Sequence, residues 1–397
     1  MCGITGFHSS NFDQKHLVKM TNTLNHRGPD ADGYYFDSQN EIGLGHRRLS
    51  IIDLSSTANQ PMISHCGRYV MAYNGEVYNF KEIAKNIDRK WKTNSDTEVI
   101  LEAFVEYKNE FVQKLNGMFS IAIWDTQDKT LNLYRDRIGI KPLLYYFDGK
   151  NFAFASELKA ILTLDLPRVL NKEAVKDYLF LEYIPQDLTI FKNYHKLKPG
   201  FHLTYKDNNI DLNQYYNLHD KWTNPSAITE EKAIEEFKEK LTSSINYRKI
   251  SDVPIGAFLS GGTDSSLICS VFQDTSNKPI ETFNIGFDVA ESVYATKVAN
   301  HLKTNHHYQL VNDTEAKSYI EHIVDHYDEP FAVPSVIPTS ILSQKTKQHV
   351  AVAMSGDGGD ELFMGYGYYR WYDRIEKFKK IGGKTGDFAR RVLAKNR

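Results

Sequence analysis

Apolar positions between residues 228 and 354 switch repeatedly between two rhythms. Residues 228–247 keep a helical spacing, with Ala233, Ile234, Phe237 and Leu241 on one predicted face. After the turn-prone Ser251 and Asp252, the run Val253, Ile255, Ala257, Phe258 and Leu259 suits a buried strand. Leu267, Ile268, Val271 and Phe272 then recur at one, three and four residue steps, which predicts a helix opening near Asp264. Strands are predicted over 280–287, 307–311 and 350–354, and helices over 294–302 and 314–327. Strand and helix in alternation predict a doubly wound α/β domain with a parallel sheet. In the first half, polar clusters interrupt apolar strands. The apolar pattern thins between Lys206 and Pro225, where Asp207, Asn208, Asn209, Asn213, Asn217 and Asn224 gather. The expected organisation is therefore a first domain over 1–205, a linker over 206–225 and a second domain over 226–397.

Composition agrees with two domains, since 397 residues exceed what one core usually organises and 41% are hydrophobic. A net charge of −2 gives no global pull toward nucleic acid or a membrane surface, so small-molecule substrates are expected. Cysteines at 2, 66 and 269 show no metal-binding spacing, and no signal peptide or long apolar run is seen; these readings predict the reducing cytoplasm. The basic run over 374–397 reads as a solvated helix face rather than an RNA contact, because aromatic residues are sparsely interleaved with it.

Chemistry enters at two glycine-rich loops that follow apolar strands. In Leu259-Ser260-Gly261-Gly262-Thr263-Asp264-Ser265-Ser266, the bare Gly261 and Gly262 let backbone amides close on an anion. Ser260, Ser265 and Ser266 offer hydroxyls, and Asp264 is placed for a metal-bridged pyrophosphate. The P-loop string with its lysine does not occur, which disfavours γ-phosphate transfer. A glycine-serine turn with an aspartate cap is the alternative for this loop alone. The second loop, Ser355-Gly356-Asp357-Gly358-Gly359-Asp360-Glu361, carries carboxylates as well. In an open parallel sheet both loops would face one crevice, where Asp360 and Asp264 could hold Mg²⁺ from two sides.

At the other end stands Met1-Cys2-Gly3-Ile4-Thr5-Gly6-Phe7. Removal of Met1 would set the Cys2 thiol beside its own α-amine, nucleophile and base in one residue. Alone, a second-position cysteine reads more readily as accidental or as a small apolar residue on a first strand. Its company is His26-Arg27-Gly28-Pro29-Asp30, the residues His46 to Asp53, Tyr73-Asn74-Gly75-Glu76-Val77-Tyr78-Asn79 and Asn94-Ser95-Asp96-Thr97-Glu98. An acyl-transfer site for an amino-acid amide needs a cation, an anion and oxyanion donors; Arg48, Asp96, and Asn74 with Gly75 supply those types.

These motifs, together with Asn116-Gly117-Met118-Phe119, the run Arg135 to Leu143, Ala155-Ser156-Glu157-Leu158-Lys159-Ala160 and Tyr327-Asp328-Glu329-Pro330-Phe331, resemble the glutamine-dependent asparagine synthetases of the bacterial type from Met1 to about Arg370. The resemblance implies an N-terminal αββα N-terminal-nucleophile sandwich joined to an ATP pyrophosphatase domain, and a homodimer. It implies Cys2 as glutaminase nucleophile, Arg48 and Asp96 on the carboxylate and amino groups of glutamine, Asn74 and Gly75 as oxyanion hole, and Glu76 in the same pocket. It further implies Ser260, Gly262, Asp264 and Ser265 on pyrophosphate and Mg²⁺, Asp360 as a second metal carboxylate, and Leu259, Ile285, Ser355 and Gly356 around adenosine. The implied reaction releases ammonia from glutamine, adenylates aspartate with ATP, and joins the two to give asparagine, with ammonia passing through an internal tunnel. Two departures belong to this chain. Family members continue past Arg397, so the second domain is expected to be truncated. Asp357 stands near the acyl-adenylate where glutamate is common, which leaves amidation of another carboxylate, or glutaminase activity alone, as alternatives.

Overall fold

The computed structural model describes residues 1–380 apart from residues 186, 224–226 and 288. Two compact units emerge, Met1–Pro254 with Asn312–Ala351, and Ile255–Val311 with the described part of Val352–Arg397.

The first unit is built on two six-stranded antiparallel sheets. One runs in the order Tyr194–Lys196, Leu144–Phe147, Phe152–Ala155, Gly3–His8, Ile42–Arg48, Ala31–Asp37. The other runs Asn209–Gln214, Phe201–Lys206, Thr130–Arg135, Gly117–Asp125, Tyr69–Val77, Met62–Ile63. Side chains alternate across a strand, so a strand buried on both faces must be apolar on both. The strand Tyr69–Val77 meets that requirement from Tyr69 to Tyr73. Val70 and Ala72 face Ile4, Ile42 and Leu44 of the other sheet, while Met71 and Tyr73 pack on Ile100 and Phe104 of the helix Asp96–Tyr107. On the far side, Phe7, Tyr146 and Ala153 pack on Leu17 and Met20 of the helix Gln14–Asn22. Helix, sheet, sheet, helix is the expected αββα sandwich. Each fully buried Leu or Phe in these layers contributes about 1.5–3 kcal/mol.

The edge strand Asn209–Gln214 pairs along its whole length with Phe201–Lys206, so the second sheet reaches into the stretch expected as linker. Asn224 and Pro225 lie outside the described residues. The helix Glu230–Arg248 forms where its spacing predicted, capped by Thr229, yet Ile245 is its one buried residue and Ile234 is 47% exposed. Its apolar stripe is short and interrupted by lysines and glutamates, and only its last turns reach the core.

The second unit holds a four-stranded parallel sheet in the order Asn305–Leu310, Glu281–Gly286, Ile255–Phe258, Val352–Met354. All four strands fall within the expected apolar runs or within two residues of them. In chain order that arrangement is 3-2-1-4, so the strand order reverses between Ile255–Phe258 and Val352–Met354. This is the doubly wound pattern, with the switch point at the two strands that feed the glycine-rich loops. Most of the basic run over 374–397 lies outside the described residues. Among the described residues, no helix is long and apolar enough to cross a membrane.

Candidate functional sites

Cys2 immediately precedes the strand Gly3–His8. Its Sγ lies 3.4 Å from the Leu49 backbone N–H and 3.6 Å from the Leu49 carbonyl. Arg27 Nε donates to the Cys2 carbonyl at 2.9 Å. Burial pushes the Cys2 thiol up and pulls the amino terminus, on Met1, down to about 5. An amine so placed is neutral at pH 7.

Asn74 lies mid-strand in Tyr69–Val77, opposite Ser120. It is 1% exposed, and neither its Oδ1 nor its Nδ2 has a hydrogen-bond partner among the described residues. Leaving a buried polar group unpaired costs about 1–3 kcal/mol, so this amide is poised for something not belonging to the fold. Gly75 follows it, opposite Phe119. Burial, and then the Asp96 charge, raise the Glu76 carboxyl to about 7, while Lys141 and the amino terminus oppose that rise. Asp96 opens the helix Asp96–Tyr107 and accepts from Tyr73 Oη at 2.7 Å and from the Val77 N–H at 3.0 Å. Burial raises its carboxyl too.

Arg48 ends the strand Ile42–Arg48. Its Nη1 donates to the Ser55 carbonyl and to Asn59 Oδ1, each at 2.7 Å, and its Nη2 to the Asp53 carbonyl. The guanidinium thus fastens the following loop. Asp53 Oδ2 in turn accepts the Asn94 N–H at 2.8 Å, which ties two distant polar clusters together. Three participants escaped the sequence reading: Arg27, Leu49 and Lys141. Lys141 is 4% exposed, its Nζ donates to Met1 Sδ at 3.0 Å, and its charge acts on both Glu76 and Cys2. Arg27 and Lys141 lie inside motifs that stood out in the sequence, but nothing in their spacing pointed to Cys2.

In the second unit, Gly262 caps the helix Thr263–Asp274 with no side-chain hydrogen bond, so the first amides are left for another acceptor. Ser260 Oγ lies 2.9 Å from Ser265 Oγ and accepts the Gly262 N–H at 3.2 Å. Gly261 has φ +82°, and a Cβ there would meet the Ala295 nitrogen at 2.5 Å. The neighbouring helix therefore excludes any side chain at Gly261. Leu259 is wholly buried, its N–H donating to the Phe283 carbonyl, and Ile285 lies on the adjacent strand.

The second loop closes on the first. A Cβ on Gly356 would lie 2.9 Å from the Ser265 nitrogen, and one on Gly359 would lie 2.5 Å from Asp264 Cγ. Asp360, next in sequence, lies in the first turn of the second unit's short helix Gly359–Phe363. Ser355 Oγ donates to Asp357 Oδ2 at 2.9 Å. The Asp264 carboxylate, from the first loop, is thus brought against Gly359 of the second, while the Asp360 carboxylate lies against Gly365. Carboxylates are the donors Mg²⁺ takes when it also holds phosphate oxygens.

Comparison with known proteins adds to this geometry. The family model described as a glutamine amidotransferase domain matches residues 1–216, and the one described as asparagine synthase matches residues 236–397. Asparagine synthetase [glutamine-hydrolyzing] 1 of Bacillus subtilis is 36% identical over 394 residues, covering 96% of this chain and 61% of the relative. A putative asparagine synthetase [glutamine-hydrolyzing] 2 of Methanocaldococcus jannaschii is 35% identical over 416 residues, covering 96% of this chain and 80% of the relative. The chain thus spans somewhat under two thirds of the Bacillus protein. Among solved structures, a Bacillus subtilis glutamine phosphoribosylpyrophosphate amidotransferase superposes with a TM-score of 0.42 at 13% identity, over 78% of this chain and 65% of that one.

Proposed function

We propose, for a chain that belongs to the glutamine-hydrolysing asparagine synthetase family, that it makes asparagine from aspartate, ATP and glutamine. In this reading Met1 is removed and the α-amine of Cys2 takes the thiol proton. The thiolate attacks the side-chain amide carbon of glutamine, and the Asn74 side chain with the Gly75 N–H holds the oxyanion. Ammonia leaves, and water hydrolyses the thioester to glutamate. Arg48 and Asp96 position the glutamine backbone groups, with Glu76 beside them.

The second half-reaction belongs to the two glycine-rich loops. Ser260, Gly261, Gly262 and Ser265 cradle the pyrophosphate of ATP, while Leu259, Ile285, Ser355 and Gly356 surround the adenosine. Asp264 and Asp360 would hold Mg²⁺, which when bound offsets charge on the departing pyrophosphate. A carboxylate is a poor acyl donor, and adenylation gives aspartate a leaving group that ammonia displaces. Asp357 lies near that acyl-adenylate. A cytoplasmic homodimer is the accompanying expectation.

The single observation that supports this most is the Asn74 amide, buried without a partner on the strand shared by Gly75 and Glu76. The test is pyrophosphate release with ATP, Mg²⁺ and aspartate, with asparagine quantified and either glutamine or ammonium supplied. Pyrophosphate and asparagine should form in step, and Cys2→Ala should abolish the glutamine-fed reaction while sparing the ammonium-fed one. Glutamate without either product would overturn the synthetase half of the proposal.

A further inference from the structure

We infer that His26, Glu157 and His326 form a binding site for one Zn²⁺-class transition-metal ion, separate from both candidate reaction sites. One ligand atom from each residue lies within 4.8 Å of the others. The three come from distant points of the first unit: the segment after the helix Gln14–Asn22, the residue preceding the helix Leu158–Ile161, and the last residue of the helix Asp313–His326. His26 Nε2 is already 3.0 Å from Glu157 Oε2, and the His26 and His326 rings meet edge to face at 4.9 Å. Ligand atoms around tetrahedral Zn²⁺ stand about 3.3 Å apart, given bonds of about 2.0–2.1 Å. Closure therefore asks for shifts of about 1 Å, and both imidazoles are exposed enough to turn.

Glu157 is the fixed member. Arg27 Nη1 donates to its Oε1 at 2.7 Å, which aims Oε2 at the histidines, as an outer-shell donor orients a metal ligand. A second cation, Lys159, is shared among three acceptors. Its Nζ donates to the His326 carbonyl at 2.7 Å and pairs with Asp328 at 3.4 Å, standing 3.6 Å from Glu157 Oε2. His322, one helical turn before His326 and on the same face, stacks on its ring at 5.9 Å. Two imidazoles and one carboxylate select Zn²⁺, Ni²⁺ or Cu²⁺ over Mg²⁺ and Ca²⁺, which prefer all-oxygen sites. The Arg27–Glu157 and Lys159–Asp328 pairs stand with both imidazoles neutral, the state a metal requires of them.

The experiment uses the full chain stripped with a chelator, carrying Cys2→Ala and Cys66→Ser so that neither accessible thiol competes. Zn²⁺ is titrated by calorimetry, and Co²⁺ is followed through its visible spectrum. The parent should take up one Zn²⁺ per chain, unaffected by excess Mg²⁺, and Co²⁺ should give the absorption of a low-coordinate nitrogen and oxygen site. His326→Ala removes an exposed side chain and leaves the Arg27–Glu157 pair. It should weaken binding by more than the about 10- to 100-fold typical of outer-shell changes, with the circular dichroism spectrum unchanged. Equal uptake by parent and His326→Ala would overturn the site, as would a parent that takes up no Zn²⁺.

Discussion

Gly359→Ala tests whether the second glycine-rich loop really fixes the carboxylate of the first. An ideal Cβ on Gly359 falls 2.5 Å from Asp264 Cγ and 2.6 Å from its Oδ2. Non-bonded carbons rest about 3.5–4.0 Å apart, so the Asp264 carboxylate must retreat by about 1 Å. If Asp264 holds the metal on the pyrophosphate, a misplacement of about 1 Å costs on the order of 100-fold in rate, or roughly 3 kcal/mol of barrier. The assay is pyrophosphate release with ATP, Mg²⁺, aspartate and ammonium, which needs no glutamine. Glutamate formation from glutamine, measured on the same sample, reports on the first unit and should not change. Gly367→Ala is the control, because a Cβ there meets nothing within 4 Å. Pyrophosphate release by Gly359→Ala within about threefold of the Gly367→Ala rate would refute the placement of Asp264 at the phosphates. Equal loss of both activities would instead indicate overpacking strain, typically 1–3 kcal/mol, spread through the fold.

Asn74→Ala should lower kcat for glutamine hydrolysis by about 10²- to 10³-fold while leaving ammonium-dependent synthesis intact; because the amide has no partner among the described residues, the thermal midpoint should hardly move, and a large drop would assign Asn74 to stability instead. Glu157→Gln should destabilise the first unit by about 3 kcal/mol at pH 7, since burial, which raises the carboxyl, is outweighed by pairing with His26 and Arg27, which takes it from 4.5 down to about 2. A lowered folded value means this stabilisation is complete above pH 4.5 and fades as pH falls toward about 2. Denaturant unfolding at several pH values should show wild type and variant converging on the acid side, and a constant gap would remove the ion pair as its cause.

The pattern of apolar and polar residues by itself determined the parallel sheet of the second unit. Three of its strands are short apolar runs that lead into Gly, Ser or Asp, and the rhythm changes sharply where the helices begin, while the fourth, Asn305–Leu310, is only partly buried. The two glycine-rich loops were legible for the same reason: Gly261 stands where backbone geometry and a neighbouring helix leave no room for a side chain. The αββα sandwich came from motif resemblance and not from periodicity. Strands such as Tyr69–Val77 lie between a sheet and a helix, so both faces are apolar and the alternation that marks a strand is lost.

What only the tertiary structure decided is which groups share a site. Arg27 and Cys2 are 25 positions apart, Lys141 and Met1 140, yet each pair is within hydrogen-bonding reach. Sequence spacing reports neighbours along one helix or strand and carries no distance between elements. The strand order 3-2-1-4, which brings Gly359 onto Asp264, and the meeting of His26, Glu157 and His326 follow from how sheets and helices pack to bury their apolar faces. The unpartnered state of Asn74 belongs there too, because a side chain lacks a partner only once every neighbour has been placed.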